Sequence, residues 1–387
     1  MASFLGFLLA TKQYDTNSID ICIEEIARFT DRKSFASPKA FTARANERNE
    51  MTTKTNRQIT LKSRPAGMPV EENFELSEVA FPELSQGQVL VQTMFLSLDP
   101  YIRGRISDAK NYAAPVAIGE VVVGGTVGRV VESSVSSLKT GDIVEGAGGW
   151  QEFSAVAPAT LRKIDPDLAP VSTALGVLGM PGLTAYFSLL EVAAPKPGDV
   201  VVISGAAGAV GQLAGQLAKL SGCQVVGIAG SDDKLAYCKG VLGFDHVVNY
   251  KKTPNLSTRL AELVPGGVNV YLDGVGGAIS EAVFNNLAFK ARVVVIGQIS
   301  QSNLVEPDVG PRSMRYLLTS RARMEGFIVG DWQSRNGEAL ARLARWVKSG
   351  DIKYSEHQVS GLENAPSAFI GMLSGANLGK TLVRVAD

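Results

Sequence analysis

The middle of the chain alternates short apolar runs, rich in valine and isoleucine, with segments whose apolar residues recur at helical spacing. The apolar runs predict strands at 200–203, 224–228, 246–249, 268–272 and 292–296. The segments between them predict helices at 209–221, 233–242, 256–263 and 278–289. Apolar strands joined by helices are typical of a parallel sheet covered on both faces. The pattern therefore predicts an α/β region with a doubly wound parallel sheet.

A different pattern precedes this region. Between residues 59 and 157, short runs such as 88–93, 120–123 and 128–131 have strand character and are separated by turn residues. The segment 179–190 then changes to helical spacing. We therefore expect a mostly-β domain before the parallel sheet.

The C-terminal part predicts an amphipathic helix after Gly337, a second helix near 362–374 and a final strand at 381–385. This strand is in a position to rejoin the β-rich domain. The first 50 residues carry no strand or helix signal that pairs with anything later, so we expect a dispensable, disordered extension there. The expected parts are an extension at 1–50, the β-rich domain at 51–178, the parallel-sheet domain at 179–331 and a return to the β-rich domain at 332–387.

Composition narrows the class of partner. The chain has 38 basic and 38 acidic residues, so charge gives no reason to expect nucleic acid or an anionic membrane as a partner. A small molecule is favoured instead. No apolar run reaches the roughly 18 residues that a membrane-spanning helix needs. Three scattered cysteines, Cys22, Cys223 and Cys238, fit a reducing compartment, and we expect a cytoplasmic protein.

A glycine-rich loop carries the main chemical signal. The strand at 200–203 runs directly into it, and a helix containing Leu213 and Leu217 follows. Glycine lets the backbone bend sharply and approach a pyrophosphate, whose charge the helix N-terminus stabilises. This order predicts a dinucleotide-binding loop, with a turn that binds nothing as the alternative. The predicted contacts are Gly205, Ala207, Gly208, Ala209, Val210 and Gly211.

The end of the second strand indicates which dinucleotide is bound. An NAD site normally has a carboxylate there for the ribose 2′-hydroxyl, whereas this chain has Ala229 and Gly230, followed by Ser231 and Lys234. A small strand end and a nearby cation suit a 2′-phosphate. Asp232 and its neighbour argue against a phosphate unless they serve as charges at the start of a helix. We favour NADPH.

The sequence has few candidate metal ligands. The chain has only two histidines, His246 and His357, and its cysteines show no CxxC spacing, so we expect no zinc. No Ser/His/Asp set or reactive cysteine stands out. Hydride transfer needs none of these, because the cofactor supplies the hydride and the protein supplies orientation and a donor, such as a tyrosine hydroxyl, to developing negative charge.

Five motifs in a fixed order resemble one family. They are LSLDPYIRG at 96–104, GAAGAVG at 205–211, AGSDDK at 229–234, RMEGF at 323–327 and NLGKT at 377–381. From Gln58 to Val385 the chain resembles zinc-independent medium-chain dehydrogenases/reductases. Within them it is most similar to the leukotriene B4 12-hydroxydehydrogenase and prostaglandin reductase branch, which includes plant alkenal double-bond reductases and bacterial curcumin reductase.

The resemblance implies a GroES-like β domain packed against a Rossmann domain, and commonly a homodimer. It also implies reduction of an α,β-unsaturated aldehyde or ketone by NADPH, with hydride added to the β-carbon and a proton to the α-carbon. Tyr101 and Tyr112 match tyrosines near the substrate. The corresponding cofactor residues are Ala207 to Val210 at the pyrophosphate, Lys234 and Tyr250 at the 2′-phosphate, Gly297, Gln298, Ile299 and Ser300 at the nicotinamide, and Phe327, Ile328 and Asn377.

Two positions depart from the family pattern. Gly274 stands where relatives usually have an asparagine at the cofactor, so one side-chain contact is lost. Thr319 stands where several members have a tyrosine involved in the enolate step, and Tyr316 is a candidate substitute. Tyr101 or Tyr112 is the better candidate for orienting the carbonyl, although each tyrosine also has a simpler interpretation as aromatic lining.

Two other functions stay open at this stage. NADPH:quinone reduction uses the same kind of cofactor cleft, and product analysis separates it from enone reduction. A cofactor-binding protein without turnover is the third hypothesis, and the two substrate-side tyrosines, Tyr101 and Tyr112, argue against it.

Overall fold

The computed structural model describes residues 55–109 and 111–386, and the expected extension at 1–50 lies outside this part of the chain. The strands are β1 (Thr55–Leu61), β2 (Phe74–Ala80), β3 (Val89–Ser97), β4 (Thr126–Ser133), β5 (Ile143–Gly146), β6 (Phe153–Val156), β7 (Arg162–Ile164), β8 (Val200–Ser204), β9 (Gln224–Ala229), β10 (His246–Asn249), β11 (Val268–Asp273), β12 (Leu287–Val295), β13 (Arg323–Gly326), β14 (Glu356–Ser360) and β15 (Lys380–Arg384). The α-helices are α1 (Tyr101–Arg105), α2 (Met180–Tyr186), α3 (Gly211–Leu220), α4 (Asp232–Gly240), α5 (Leu256–Leu263), α6 (Gly277–Phe284), α7 (Met314–Ser320), α8 (Asn336–Ser349) and α9 (Ala365–Leu373).

The predicted doubly wound sheet is confirmed. Six parallel strands lie in the order β10-β9-β8-β11-β12-β13, so the chain moves outward on one side of β8 and then on the other. This is the Rossmann order, with the switch point between β8 and β11. The sixth strand, β13, was not predicted, because its four residues, RMEG, are all exposed and show neither an apolar run nor an alternation.

The helix predicted at 278–289 was too long. It ends at Phe284, and Leu287 begins β12 by pairing with Val268 of β11. Asn285 and Asn286 lie between the two elements, and both are poor helix formers. The predicted helix at 179–190 begins as α2 and continues as the π-helical segment Phe187–Ala193.

The β-rich part contains a second sheet, in the order β14-β15-β3-β4-β5-β7 with β6 paired to β3, and a separate β1-β2 pair. Leu382 of β15 pairs with Ser97 of β3, so the last strand does rejoin this sheet. The strand predicted at 120–123 was wrong. Val121 makes only an isolated bridge to Thr60, because this extended segment crosses between β1 and Trp150 without forming a regular ladder.

Each of two core clusters contains residues from both parts. Helix α8 packs Ala339 and Leu343 into the cluster that contains Ala206 and Ala207 of the glycine-rich loop. Ile299, which follows β12, packs on the cluster of the β-rich part. The domain boundaries expected at 178 and 331 therefore remain a proposal, since one core cluster contains residues from both sides of each boundary.

Candidate active site

The predicted cofactor residues follow the carboxyl ends of the parallel strands. Because these ends meet at one edge of the sheet, ligands of open α/β sheets bind in the crevice beside them, at the switch point. The residues at this edge are Gly205 after β8, Ser231 after β9, Tyr250 after β10, Gly274 after β11, Gly297 after β12 and Phe327 after β13. The fold thus brings together residues that are 122 positions apart, from Gly205 to Phe327.

The glycine-rich loop makes a tight turn between β8 and α3. Gly205 has a φ of +65°, which favours glycine. A Cβ on Gly211 would lie 2.4 Å from the carbonyl oxygen of Gly205, so the first residue of α3 also has to be glycine. The backbone amide of Val210 donates to no acceptor within residues 55–109 and 111–386. Free amides at a helix N-terminus fit a pyrophosphate.

A segment of the β-rich part lies against this loop. Gly379 donates its backbone N–H to the Ala207 carbonyl oxygen at 2.8 Å and forms a bridge with Gly208. Asn377 donates from Nδ2 to the Gly379 carbonyl oxygen at 2.9 Å. The motif NLGKT therefore reaches the loop mainly through its backbone, and nothing in local sequence spacing predicted that pairing.

Lys234 lies at the predicted 2′-phosphate position. Its Nζ donates to the Gly375 carbonyl oxygen at 2.8 Å, and its pKa is lowered by burial and then by the neighbouring Lys251. A Cβ on Gly230 would lie 3.0 Å from Tyr250 Cε1 and 3.1 Å from Lys251 Cε, so both side chains lie directly beside this strand end. Sequence analysis missed Lys251, although it directly follows Tyr250.

One of the two acidic residues that argued against a phosphate, Asp232, is neutralised. Asp232 begins α4 and accepts hydrogen bonds from Lys252 Nζ at 2.5 Å and Asn249 Nδ2 at 2.7 Å. These two contacts lower the pKa of its carboxyl. Ser231, at the N-cap, is exposed and makes no side-chain capping bond, which leaves its hydroxyl available to a ligand. The site therefore fits a 2′-phosphate.

A buried carboxylate shapes the turn at Gly274. Asp273 is 2% exposed and accepts hydrogen bonds from the Tyr271 hydroxyl at 3.0 Å and the Ser280 hydroxyl at 2.6 Å. Its Oδ1 also accepts the backbone N–H of Gly276 at 2.9 Å. This role of Asp273 has no signal in the sequence, because the groups that donate to one buried carboxylate follow no periodic pattern.

The segment on the predicted nicotinamide side is tied to the same turn. Ser300 donates its N–H at 3.0 Å and its hydroxyl at 2.6 Å to the Val275 carbonyl oxygen. Gln298 is exposed, Ile299 is half-buried, and Phe327 is 7% exposed beside Ile328 at 42%. Their roles at the cofactor remain predictions.

Helix α1 connects the β-rich part to this segment. Arg103 is 5% exposed, and it donates from Nε to Asn303 Oδ1 at 2.9 Å and from a terminal nitrogen to the Gly67 carbonyl oxygen at 2.8 Å. Burial lowers the pKa of this guanidinium. Sequence analysis missed Arg103, which fixes the orientation of a helix that also begins with Tyr101.

Tyr112 contributes to the raised pKa of Tyr101, so the two phenols lie near each other, while their place at the substrate stays a prediction. Tyr101 is half-buried and packs on the same cluster as Ile299. Burial, and then the charge of Asp99, raise the pKa of Tyr101 well above its usual value, although Arg105 opposes them. The phenol therefore stays protonated at neutral pH and can donate a hydrogen bond. Tyr112 is 65% exposed, so it has the looser environment.

Tyr316 lies in a different environment. It packs with Leu317 against the core on the opposite side of the parallel sheet, and the Arg315 guanidinium lies 5.8 Å from its ring centre. Thr319 donates its hydroxyl to the Arg315 carbonyl oxygen within α7 at 3.1 Å. Tyr316 thus packs on a different cluster from Tyr101, and its catalytic role stays a prediction.

Metal and thiol chemistry have few candidate groups. Within residues 55–109 and 111–386, no three His, Cys, Asp or Glu side chains are arranged to hold a metal ion. Burial raises the pKa of Cys223 to about 11 and that of Cys238 to about 12, so both thiols are poor nucleophiles. The described helices include none long and apolar enough to span a membrane.

Comparison with known proteins gives two family matches. Residues 57–164 match the family described as the N-terminal domain of oxidoreductase, and residues 209–345 match the family described as zinc-binding dehydrogenase. The second description does not correspond to a cluster of metal ligands in the part of this chain that the structure covers.

The matches to individual relatives cover nearly the whole length of each relative. The chain is 44% identical to NADPH-dependent curcumin reductase of Escherichia coli, over 86% of this chain and 97% of the relative. It is 44% identical to prostaglandin reductase 1 of Rattus norvegicus, over 84% and 98%. The crystal structure of CurA from Vibrio vulnificus in complex with NADPH matches with a TM-score of 0.82 and 43% identity, over 86% and 99%. The chain therefore belongs to the medium-chain dehydrogenase/reductase family, in the branch that includes curcumin reductase and prostaglandin reductase.

Proposed function

We propose that this protein uses NADPH to reduce the carbon–carbon double bond of α,β-unsaturated aldehydes and ketones. The observation that carries the proposal is the position of Tyr101, a protonated phenol that packs in the same cluster as Ile299 beside the predicted nicotinamide site. The names of the relatives, curcumin reductase and prostaglandin reductase, support the substrate class.

The residues divide the work between binding and charge stabilisation. The amide of Val210 and the turn of the glycine-rich loop would hold the pyrophosphate, and Lys234, Lys251 and Ser231 would hold the 2′-phosphate. When bound, NADPH supplies a hydride to the β-carbon of the substrate. Tyr101 donates a hydrogen bond to the carbonyl oxygen, where negative charge develops as the β-carbon receives the hydride.

One assay tests the proposal. The full chain is supplied with NADPH or NADH and with 2-alkenals, cyclic enones, diaryl enones and quinones, and the products are identified. We expect saturated aldehydes or ketones, formed with NADPH. Allylic alcohols as products, or turnover of quinones alone, would overturn enone reduction.

Restoring the family's asparagine should tighten cofactor binding. A Cβ on Gly274 would have its nearest neighbours at 3.7 Å, so the backbone here accepts a side chain without a clash at Cβ. One added hydrogen bond contributes about 1 kcal/mol, so we expect the Kd for NADPH to fall roughly fivefold. Fluorescence titration measures it. Gly276→Asn is the matched control. Gly276 has a φ of +77°, which favours glycine, so this variant should bind NADPH more weakly than the parent. An unchanged or higher Kd for Gly274→Asn would contradict the prediction.

We further propose that two copies associate through the edge of the parallel sheet. Strand β13 is the last in the sheet order and all its residues are exposed. Met324 on it is 44% exposed and Leu318 on α7 is 79% exposed. An exposed edge with apolar neighbours readily pairs with another strand. Sedimentation equilibrium should show a dimer that Met324→Asp dissociates and Val241→Asp, at a comparably exposed position, does not. A monomeric parent protein would rule this out.

A reducing, cytoplasmic location belongs to the same proposal. It is supported by Cys223 and Cys238, which are free and buried. Cell fractionation checks it, and recovery of the protein outside the cytoplasmic fraction would refute it.

A further inference from the structure

A fully buried ion pair joins the two segments on either side of the site. Lys380 is 2% exposed and Asp99 is 4% exposed, and Lys380 Nζ lies 2.8 Å from Asp99 Oδ1. The same ammonium donates to the Leu98 carbonyl oxygen at 2.6 Å. Ser97 donates its hydroxyl to the other carboxylate oxygen, Asp99 Oδ2. Both charges are therefore satisfied inside the protein.

Burying this pair does not favour folding by itself. Burial lowers the pKa of Lys380, and the charges of Asp99 and Glu356 oppose that effect. Removing two charges from water costs as much as their attraction returns, so apolar side chains of similar volume often give equal or higher stability. A pair retained under these conditions suggests a role in fixing geometry.

The pair stands between the cofactor loop and Tyr101. Lys380 directly follows Gly379, whose N–H is bonded to the Ala207 carbonyl oxygen at 2.8 Å. A Cβ on Gly379 would lie 1.9 Å from the Ser355 carbonyl oxygen, so the backbone here is closely confined. On the other side, Asp99 accepts the N–H of Ile102 at 3.1 Å on its carbonyl oxygen, within the first turn of α1. Tyr101 is the first residue of that helix.

We propose that Asp99 and Lys380 are positioning residues that hold Tyr101 in register with the cofactor loop, so that the phenol meets the substrate carbonyl only when the loop is in place. Neither side chain touches the reacting atoms. This inference rests on the proposed function for its kinetic consequence, while its mechanical part requires only that the protein binds NADPH.

The key variant replaces both charges with apolar groups. Asp99→Leu combined with Lys380→Met removes both charges of the pair together, so its melting temperature should fall less than that of either single variant, which leaves one buried charge of the pair unpaired. A purely structural pair would then leave kcat unchanged. We expect kcat for enone reduction to fall roughly 10- to 100-fold through misplacement of Tyr101, with the Kd for NADPH within threefold of the parent.

A second readout does not depend on turnover. Hydrogen–deuterium exchange at the amides of residues 101–106 is followed with and without NADPH. In the parent, NADPH should slow exchange in this segment, and in the double variant it should not. If the double variant unfolds, Asp99→Asn takes its place, because asparagine keeps an acceptor for Lys380. We then expect a smaller fall in kcat and a smaller loss of the protection that NADPH gives to residues 101–106.

A second, half-buried ion pair provides the control. Arg292 lies 2.6 Å from Asp199, and both side chains are about 15% exposed, in strand β12 and before strand β8. Arg292→Met should lower the melting temperature and leave kcat within twofold of the parent. Parent-like kcat and parent-like NADPH protection in the double variant would overturn the inference. A parent that reduces no enone would instead refute the proposed function, and the exchange experiment would still test the positioning pair.

Discussion

Tyr101→Phe is expected to lower kcat for enone reduction by about 10²- to 10³-fold, the effect of removing one donor from a site where negative charge develops. The phenol is protonated at neutral pH even at its ordinary pKa, and burial raises that pKa further. Phenylalanine keeps the ring's packing with the cluster around Ile102 while removing only the hydroxyl. Steady-state kinetics with a diaryl enone measures kcat, and the melting temperature should change little.

Two other tyrosines make this result interpretable. Tyr354→Phe removes a half-buried hydroxyl that forms no hydrogen bond within residues 55–109 and 111–386, and it should leave kcat unchanged. Tyr112→Phe should have a smaller effect than Tyr101→Phe, because Tyr112 is 65% exposed and its hydrogen bond competes with water. A loss under threefold for Tyr101→Phe would reduce that residue to aromatic lining, and a larger loss for Tyr112→Phe would transfer the role to Tyr112.

Lys234→Ala is expected to weaken NADPH binding by about 1–3 kcal/mol, or roughly 5- to 150-fold, while barely changing the affinity for NADH. Lys234 is the half-buried cation at the end of β9, and only NADPH carries a phosphate there. Lys251→Ala should act in the same direction with a smaller effect, because Lys251 is more exposed. Fluorescence titration of both nucleotides gives the two Kd values.

The control for charge alone is Lys239→Ala, an exposed lysine in the last turn of the same helix, α4. Its removal should leave both affinities unchanged. Equal losses of NADPH and NADH for Lys234→Ala would mean that this lysine supports the loop and does not distinguish the 2′-phosphate.

Much of the fold follows from local pattern. The five predicted strands of the parallel sheet were confirmed within a residue or two except for the start of β12, because buried strands in such sheets consist of continuous apolar runs. Strand β13 was not predicted because an exposed edge strand needs no apolar residues. The strand predicted at 120–123 was wrong because extended backbone that crosses between strands can have the same composition as a strand.

The residues of the candidate site also differ in whether local sequence predicts them. The glycine-rich loop and Lys234 were identified from sequence, since strand, turn and helix follow one another directly and their spacing is local. Lys251, Arg103 and Asp273 were not, because each acts through contacts with residues distant in the chain, such as Arg103 with Asn303.

By itself the sequence determined a dinucleotide-binding α/β region, the preference for NADPH over NADH as a prediction, and the family resemblance that points to enones. Only the tertiary structure decided that Asp232 is neutralised by Lys252, that Gly379 pairs with the cofactor loop, and that Lys380 reaches Asp99 across 281 positions of sequence. The physical reason is that periodicity and motif spacing encode contacts within a few residues, whereas a pairing between β15 and β3 depends on the path of the whole chain between them.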